Sequence, residues 1–149
     1  MNHKDRELEN FLYQVITEIS KANAPIVFKG ALALKDLLYM SNPDLKIERR
    51  TIDIDANWTD KLNENKIFEI IDDAIKRIEP TFKLKCSRVA SENQSMGFEI
   101  LDDLDNIITK IDLDIKDNPF YVICNINDVN IKYSSLEKIF SDKLFALSG

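Results

Sequence analysis

Two short segments of this sequence alternate aspartate with aliphatic residues, and they constrain the fold more than any other feature. Residues Thr51–Asp55 read Thr-Ile-Asp-Ile-Asp, and Ile111–Ile115 read Ile-Asp-Leu-Asp-Ile. Strict alternation predicts β-strands, in which residues i and i+2 share one face. The aliphatic side chains of each strand then enter a hydrophobic core, and its two aspartates lie together on the opposite face.

The four aspartates on these strands are Asp53, Asp55, Asp112 and Asp114. Two carboxylates roughly 5 Å apart repel by about 3 kcal/mol at an effective dielectric constant near 20. A fold tolerates this repulsion when water or a cation compensates it, and hard divalent ions such as Mg²⁺ prefer oxygen ligands. If the two strands are neighbours, their carboxylates converge into a two-metal site suited to phosphoryl transfer. The alternative is a solvated outer face, which is the usual role of a single Asp-x-Asp pair.

The rest of the pattern predicts a mixed α/β (α+β) fold with one principal β-sheet flanked by helices. Apolar spacing predicts helices over about residues 5–22 and 67–78, and a run of helix-forming residues predicts one over 31–39. A capping-box sequence at Ser134–Glu137 predicts a last helix. Further strands are expected at Ile26–Lys29, Phe82–Cys86, Met96–Ile100, Tyr121–Ile126 and Val129–Tyr133. With 149 residues and no evident linker, one domain over 1–149 is expected.

Scarce residue types exclude several classes of chemistry. The one histidine is His3, which argues against Ser-His-Asp and Cys-His catalysis. Cys86 and Cys124 form no zinc pattern and are expected to be buried free thiols. With three glycines, no Gly-x-Gly-x-x-Gly or Walker-type loop is present. A formal charge of −6 argues against a broad nucleic-acid coat, and no segment resembles a membrane span or a secretion signal, so a cytoplasmic protein is expected.

Gly30 stands at the predicted turn between a strand and a helix. A helix N-terminus presents free N–H groups and a partial positive charge. Without a Cβ atom at Gly30, phosphate oxygens can approach this backbone closely. The alternative is a simple turn glycine, but few other glycines exist in the chain.

Two blocks of sequence stand out together, Lys29-Gly-Ala-Leu-Ala-Leu34 and Arg49-Arg-Thr-Ile-Asp-Ile-Asp55. They resemble the AbiEii/AbiGii-type nucleotidyltransferase toxins of the DNA polymerase β-like nucleotidyltransferase superfamily. The first matches the family's glycine-containing turn, and the second matches its Arg-x-Thr/Ser-x-Asp-hydrophobic-Asp strand. The family's third carboxylate lies on a later strand, where Asp114 fits the acid position and Asp112 is the alternative register. Lys143-Leu-Phe-Ala-Leu147 resembles the family's Lys-Leu-x-Ala-Leu helix.

The resemblance implies a nucleotidyltransferase-like fold and Mg²⁺-dependent transfer of a nucleoside monophosphate from a nucleoside triphosphate (NTP). It implies that two Mg²⁺ ions are held by Asp53, Asp55 and Asp114, with Asp112 as the alternative. It implies nucleotide-binding roles for Gly30, Ala31, Thr51 and Lys143, and supporting roles for Lys29 and Arg49. Ala31 departs from the family's usual Gly or Ser, so a hydroxyl contact is lost. By helical spacing alone, Lys143 either extends outward to water or reaches a buried anion.

The resemblance also implies a toxin of a toxin–antitoxin system, with an antitoxin protein as partner and RNA as an acceptor. Family members continue into a helical C-terminal region that this sequence does not contain. That difference and Ala31 motivate a second hypothesis, a non-catalytic regulatory or antitoxin-binding module on the same scaffold. A third hypothesis is a small Mg²⁺-dependent phosphohydrolase, because such enzymes also use clustered aspartates.

Overall fold

Helices and strands alternate in the first half of the chain, and strands dominate the second half. The structure is a computed structural model that describes residues 3–44, 53–90 and 94–148, apart from the side chains of Ala90, Lys143 and residues 145–148. The helices are α1 (His3–Lys21), α2 (Gly30–Ser41), α3 (Glu64–Ile78) and α4 (Leu136–Ser148). The strands are β1 (Ile26–Lys29), β2 (Asp53–Trp58), β3 (Lys83–Ala90), β4 (Ser95–Leu101), β5 (Ile107–Ile115), β6 (Tyr121–Ile126) and β7 (Val129–Ser134). Arg49, Thr51 and the side chain of Lys143 lie outside the described residues.

The strands form one mixed sheet in the order β3-β4-β5-β2-β1-β7-β6. The two acidic strands, β2 and β5, are neighbours and run parallel, with Asp55 beside Asp112 and Asn57 beside Asp114. Strand β1 lies antiparallel to β2 on its other side and parallel to β7. The expectation of a mixed α+β fold with adjacent acidic strands is therefore confirmed.

The hydrophobic core lies on the sheet face opposite the aspartates of β2. Ile54, Ala56 and Trp58 are each at most 1% exposed, and they alternate along β2 with the half-buried Asp53 and Asp55. Helix α3 contributes an apolar stripe to this core, and its Phe68 ring lies 6.4 Å from that of Phe98 on β4. Burial of each large apolar side chain contributes roughly 1.5–3 kcal/mol. The core therefore fixes which face of β2 presents carboxylates.

Several local expectations from the sequence require correction. The Ser135 hydroxyl, not that of Ser134, caps helix α4 by accepting the Lys138 backbone N–H. Cys86 is exposed rather than buried, because β3 is an edge strand, and Cys124 is only partly buried; both thiols are free. Among the described helices, none is both long enough and apolar enough to cross a membrane.

Candidate active site

One aspartate of β2 and one of β5 border a cleft of about 740 Å³. Asp55 and Asp114 line this cleft, together with Lys29 and Gly30, at the junction of β1 and α2. Asp53 and Asp112 are not part of its lining. Asp53 precedes Asp55 on the same face of β2, and Asp112 is the register neighbour of Asp55 on β5. The predicted acidic residues therefore share one region of the sheet, and two of the four face the cleft beside the start of α2.

The carboxylates of β2 are held in an environment that disfavours their charge. The pKa of Asp55 is raised to about 6, mainly by burial and then by the nearby Asp112 carboxylate, whereas Lys29 acts in the opposite direction. Burial and then Asp112 also raise the pKa of Asp53, and Lys110 opposes that shift. Asp114 has a weaker influence on Asp55 than Asp112 has. Of the two β5 aspartates, Asp112 therefore has the larger effect on the pKa values of both β2 carboxylates. The identity of the third acid, Asp114 or the alternative Asp112, stays a prediction.

Each β5 aspartate is engaged by a cation of the chain. Arg88 Nη2 lies 3.5 Å from Asp112 Oδ1, and Lys29 Nζ lies 2.5 Å from Asp114 Oδ2. Gly97 on β4 stands between β3 and β5, where a Cβ atom would lie 3.5 Å from the guanidinium carbon of Arg88. The Arg88 side chain therefore crosses β4 over Gly97 to reach Asp112.

Both the backbone conformation at position 30 and the nearby Asp55 side chain require a glycine there. The φ angle of Gly30 is +76°, a conformation that side-chain-bearing residues rarely adopt. A Cβ atom there would also lie 2.5 Å from Asp55 Oδ2. Lys29 is the N-cap residue of α2 and makes no side-chain capping hydrogen bond, so the first-turn N–H groups of Gly30 and Ala31 have no such cap. The turn glycine thus places a helix N-terminus directly against a carboxylate.

The cleft also contains residues that the sequence reasoning missed. Asn57 and Asn118 are buried in its wall, and Lys138 lines it from α4, where its ammonium group pairs with Asp142 at 2.9 Å. Asn57 continues the spacing of Asp53 and Asp55 on the same strand face, so the alternation carried a usable signal for it. Asn118 and Lys138 come from a loop and a distant helix, and no local pattern marked them.

The side chains available at the site suit a hard divalent cation such as Mg²⁺. The groups near Asp55 are carboxylates, and the raised pKa values of Asp53 and Asp55 reflect a desolvation and repulsion that a cation would relieve. Within residues 3–44, 53–90 and 94–148, no three histidine, cysteine, aspartate or glutamate side chains already form a metal-binding group. Asp112 and Asp114 are paired with Arg88 and Lys29 instead. Binding of a metal ion would therefore require these carboxylates to exchange partners.

Comparison with solved structures agrees with this architecture. The chain has a nucleotidyltransferase-like fold. It superposes with a TM-score of 0.65 and 15% identity on a Helicobacter pylori protein described as a candidate nucleotidyltransferase, covering 97% of this chain and 59% of that one. For MenT4, a nucleotidyltransferase toxin of Mycobacterium tuberculosis, the TM-score is 0.57 at 10% identity, covering 95% and 52%. For the Megavirus polyadenylate synthase, it is 0.58 at 9% identity, covering 97% and 28%.

The chain therefore spans less than two thirds of the length of each of these proteins. No protein-family model matches the sequence, and no curated protein matches it. At these identities the likeness establishes the fold, and the expectation of a nucleotidyltransferase-like fold is confirmed.

The raised pKa of Asp55 predicts a pH-dependent stability difference between the wild-type protein and the Asp55→Asn variant, measured without divalent metal. The folded-state pKa of about 6 exceeds the ordinary value of 3.8, so the folded state binds more protons between these values. Asp55 therefore costs stability as pH rises from about 4 to 6, and the full cost remains at neutral pH. Urea denaturation should show the variant gaining about 1–2 kcal/mol over the wild type by pH 7, after allowance for solvent screening. A difference that is constant from pH 4 to pH 7 would contradict the assignment.

Proposed function

We propose that this chain carries the active site of a Mg²⁺-dependent nucleotidyltransferase, which transfers a nucleoside monophosphate from an NTP to an acceptor hydroxyl and releases pyrophosphate. One observation carries the proposal. In-register β2 and β5 place Asp55 beside Asp112, and the N-terminus of α2 meets Asp55 at Gly30. Carboxylates for metal ions and free N–H groups for an anion thus lie side by side, as transfer of a phosphoryl group requires.

The chain's own residues take the following roles in this proposal. Asp53 and Asp55 are the principal metal ligands, and Asp112 completes the set, while Asp114 positions Lys29 at the cleft. The N–H groups at Gly30 and Ala31 bind phosphate oxygens, and Thr51 and Lys143 are further nucleotide-binding residues, with Arg49 in a supporting role. Bound Mg²⁺ would supply Lewis-acid stabilisation of the phosphoryl group. Positioning and charge neutralisation account for most of the catalysis in such reactions.

The proposed biological setting is a toxin–antitoxin system. The resemblance to AbiEii/AbiGii-type toxins, and the fold likeness to a protein described as a nucleotidyltransferase toxin, support a toxin that acts in the cytoplasm under control of an antitoxin protein. RNA is the proposed acceptor. The whole of 1–149 is proposed to form one nucleotidyltransferase-like domain.

The test is incubation of the protein with each α-³²P-labelled NTP, Mg²⁺ and total RNA, with separate assays for pyrophosphate and for inorganic phosphate. We expect label in RNA and stoichiometric release of pyrophosphate, and EDTA should abolish both. Release of inorganic phosphate without labelling would instead indicate the phosphohydrolase. Absence of any NTP turnover, together with antitoxin binding that survives in the Asp53→Asn/Asp55→Asn double variant, would indicate the non-catalytic module.

A further inference from the structure

A buried network of polar side chains borders the cleft, and two of its members, Asn57 and Asn118, line it. Asn118 is 2% exposed, and its Nδ2 donates to Asn57 Oδ1 and to Ser134 Oγ, both at 3.2 Å. Its Oδ1 accepts the Phe120 backbone N–H at 3.1 Å. The network joins β2, β7 and the loop after β5, so it is built into the fold rather than added at the surface.

This network determines how the Asn57 amide is oriented. A backbone N–H can only donate, so the bond from Phe120 requires the Asn118 oxygen at that position and directs the Asn118 NH₂ group towards Asn57. Asn57 must then present its oxygen to Asn118 and its Nδ2 elsewhere. Within the described residues, Asn57 Nδ2 has no acceptor. Asn57 is 5% exposed and lines the cleft, and solvent still reaches its Nδ2 there, so an oriented donor with no acceptor among the described residues faces the cleft.

The charges around Asn57 indicate which kind of acceptor fits. Its register neighbour is Asp114, and the cleft lining contains four aspartates and three lysines. Two of the lysines, Lys29 and Lys138, are already paired with aspartates of the same lining. A further phosphate oxygen at Asn57 would face a nearby carboxylate, which is unfavourable. An uncharged oxygen meets no such penalty, and it satisfies the donor.

We propose that Asn57 is a nucleoside-binding residue, whose Nδ2 donates a hydrogen bond to an uncharged oxygen of the base or sugar of the NTP. The proposal rests on the proposed nucleotidyltransferase function. Asn57 lies two residues beyond Asp55 on the same strand face, about 7 Å along β2. In this arrangement the reacting phosphate lies at the Asp55 carboxylate, and the nucleoside lies about that far along the cleft, at Asn57. Asn57 thereby contributes to the choice of nucleotide.

The test is isothermal titration calorimetry in Mg²⁺ with each of the four NTPs, one 2′-deoxy-NTP and tripolyphosphate. Asn57→Asp keeps the oxygen that accepts from Asn118 but replaces the free donor with an acceptor. Asn57→Ser removes the amide without adding charge. The matched control is Asn125→Asp. Asn125 is exposed on β6, and its side-chain Nδ2 donates a hydrogen bond to Asn130 Oδ1.

We expect Asn57→Ser to weaken NTP binding by about 3- to 10-fold, and Asn57→Asp to weaken it more. Tripolyphosphate binding should change by less than about 2-fold in Asn57→Ser, and the Asn125→Asp control should bind like the wild type. A changed ranking of the four NTPs would identify a base oxygen. A uniform loss that is absent with the 2′-deoxy-NTP would identify the sugar hydroxyl.

Two outcomes would overturn the inference while leaving the proposed function standing. One is wild-type NTP affinity in both Asn57 variants. The other is an equal loss of NTP and tripolyphosphate binding in Asn57→Ser, which would assign the donor to phosphate. Failure of the wild-type protein itself to bind any NTP in Mg²⁺ would overturn both the inference and the proposed function.

Discussion

Replacement of Asp55 by asparagine is expected to reduce nucleotidyl transfer by about 10³-fold or more, while the protein stays folded. Asparagine keeps the shape of the side chain but removes the negative charge that a divalent cation requires. Because the Asp55 carboxylate is partly buried and repelled by Asp112, its loss also removes an unfavourable charge. The measurement is pyrophosphate release under saturating NTP and Mg²⁺, with the thermal unfolding midpoint of each protein recorded in EDTA.

A matched control distinguishes the effect of losing the Asp55 carboxylate from the effect of losing one negative charge elsewhere on the protein. Asp128 lies in the exposed turn between β6 and β7 at a φ of 66°, a conformation that asparagine tolerates well. Asp128→Asn should therefore retain wild-type transfer. Asp112→Asn and Asp114→Asn extend the comparison, and we expect the larger loss from Asp112→Asn. Undiminished transfer by the Asp55→Asn variant would contradict the metal-dependent mechanism.

Much of the fold was predictable because burial and alternation leave a local record in the sequence. The strands Ile26–Lys29 and Tyr121–Ile126 were predicted with the bounds that the structure has. The stripe of isoleucines in α3 marked a helix, since each of those positions meets the same core. The acidic faces of β2 and β5 were predictable for the complementary reason, that a carboxylate avoids the core.

Contacts between side chains on distant elements leave no such local pattern in the sequence. Lys35 in α2 is 3% exposed and pairs with Glu9 of α1 at 2.8 Å, yet neither residue stood out in the sequence. Arg88 reaches Asp112 by crossing Gly97 of the intervening strand. Asn118 orients Asn57 from a loop 61 residues further along the chain. Each depends on the order of strands in the sheet, which local periodicity does not determine.

The Gly30→Ala substitution is expected to destabilise the protein by about 2–3 kcal/mol and to abolish most of the transfer. The φ of +76° costs roughly 1–2 kcal/mol for a residue with a Cβ atom, and contact with Asp55 Oδ2 adds to it. Gly97→Ala is the matched control, since its Cβ would approach only to 3.2 Å of the Ser87 hydroxyl. Urea denaturation should show the smaller loss for Gly97→Ala.

A double-mutant cycle separates the two causes of the Gly30 effect. Asp55→Ala removes the carboxylate that the new Cβ atom would strike, so the Gly30→Ala/Asp55→Ala variant should regain part of the stability lost in Gly30→Ala, measured against Asp55→Ala alone. The backbone cost stays in both backgrounds, because it depends on φ and not on the neighbour. Strict additivity of the two substitutions would show that Gly30 and Asp55 are not in contact. The proposed active site depends on that contact between the helix N-terminus and the carboxylate, so this result would contradict it.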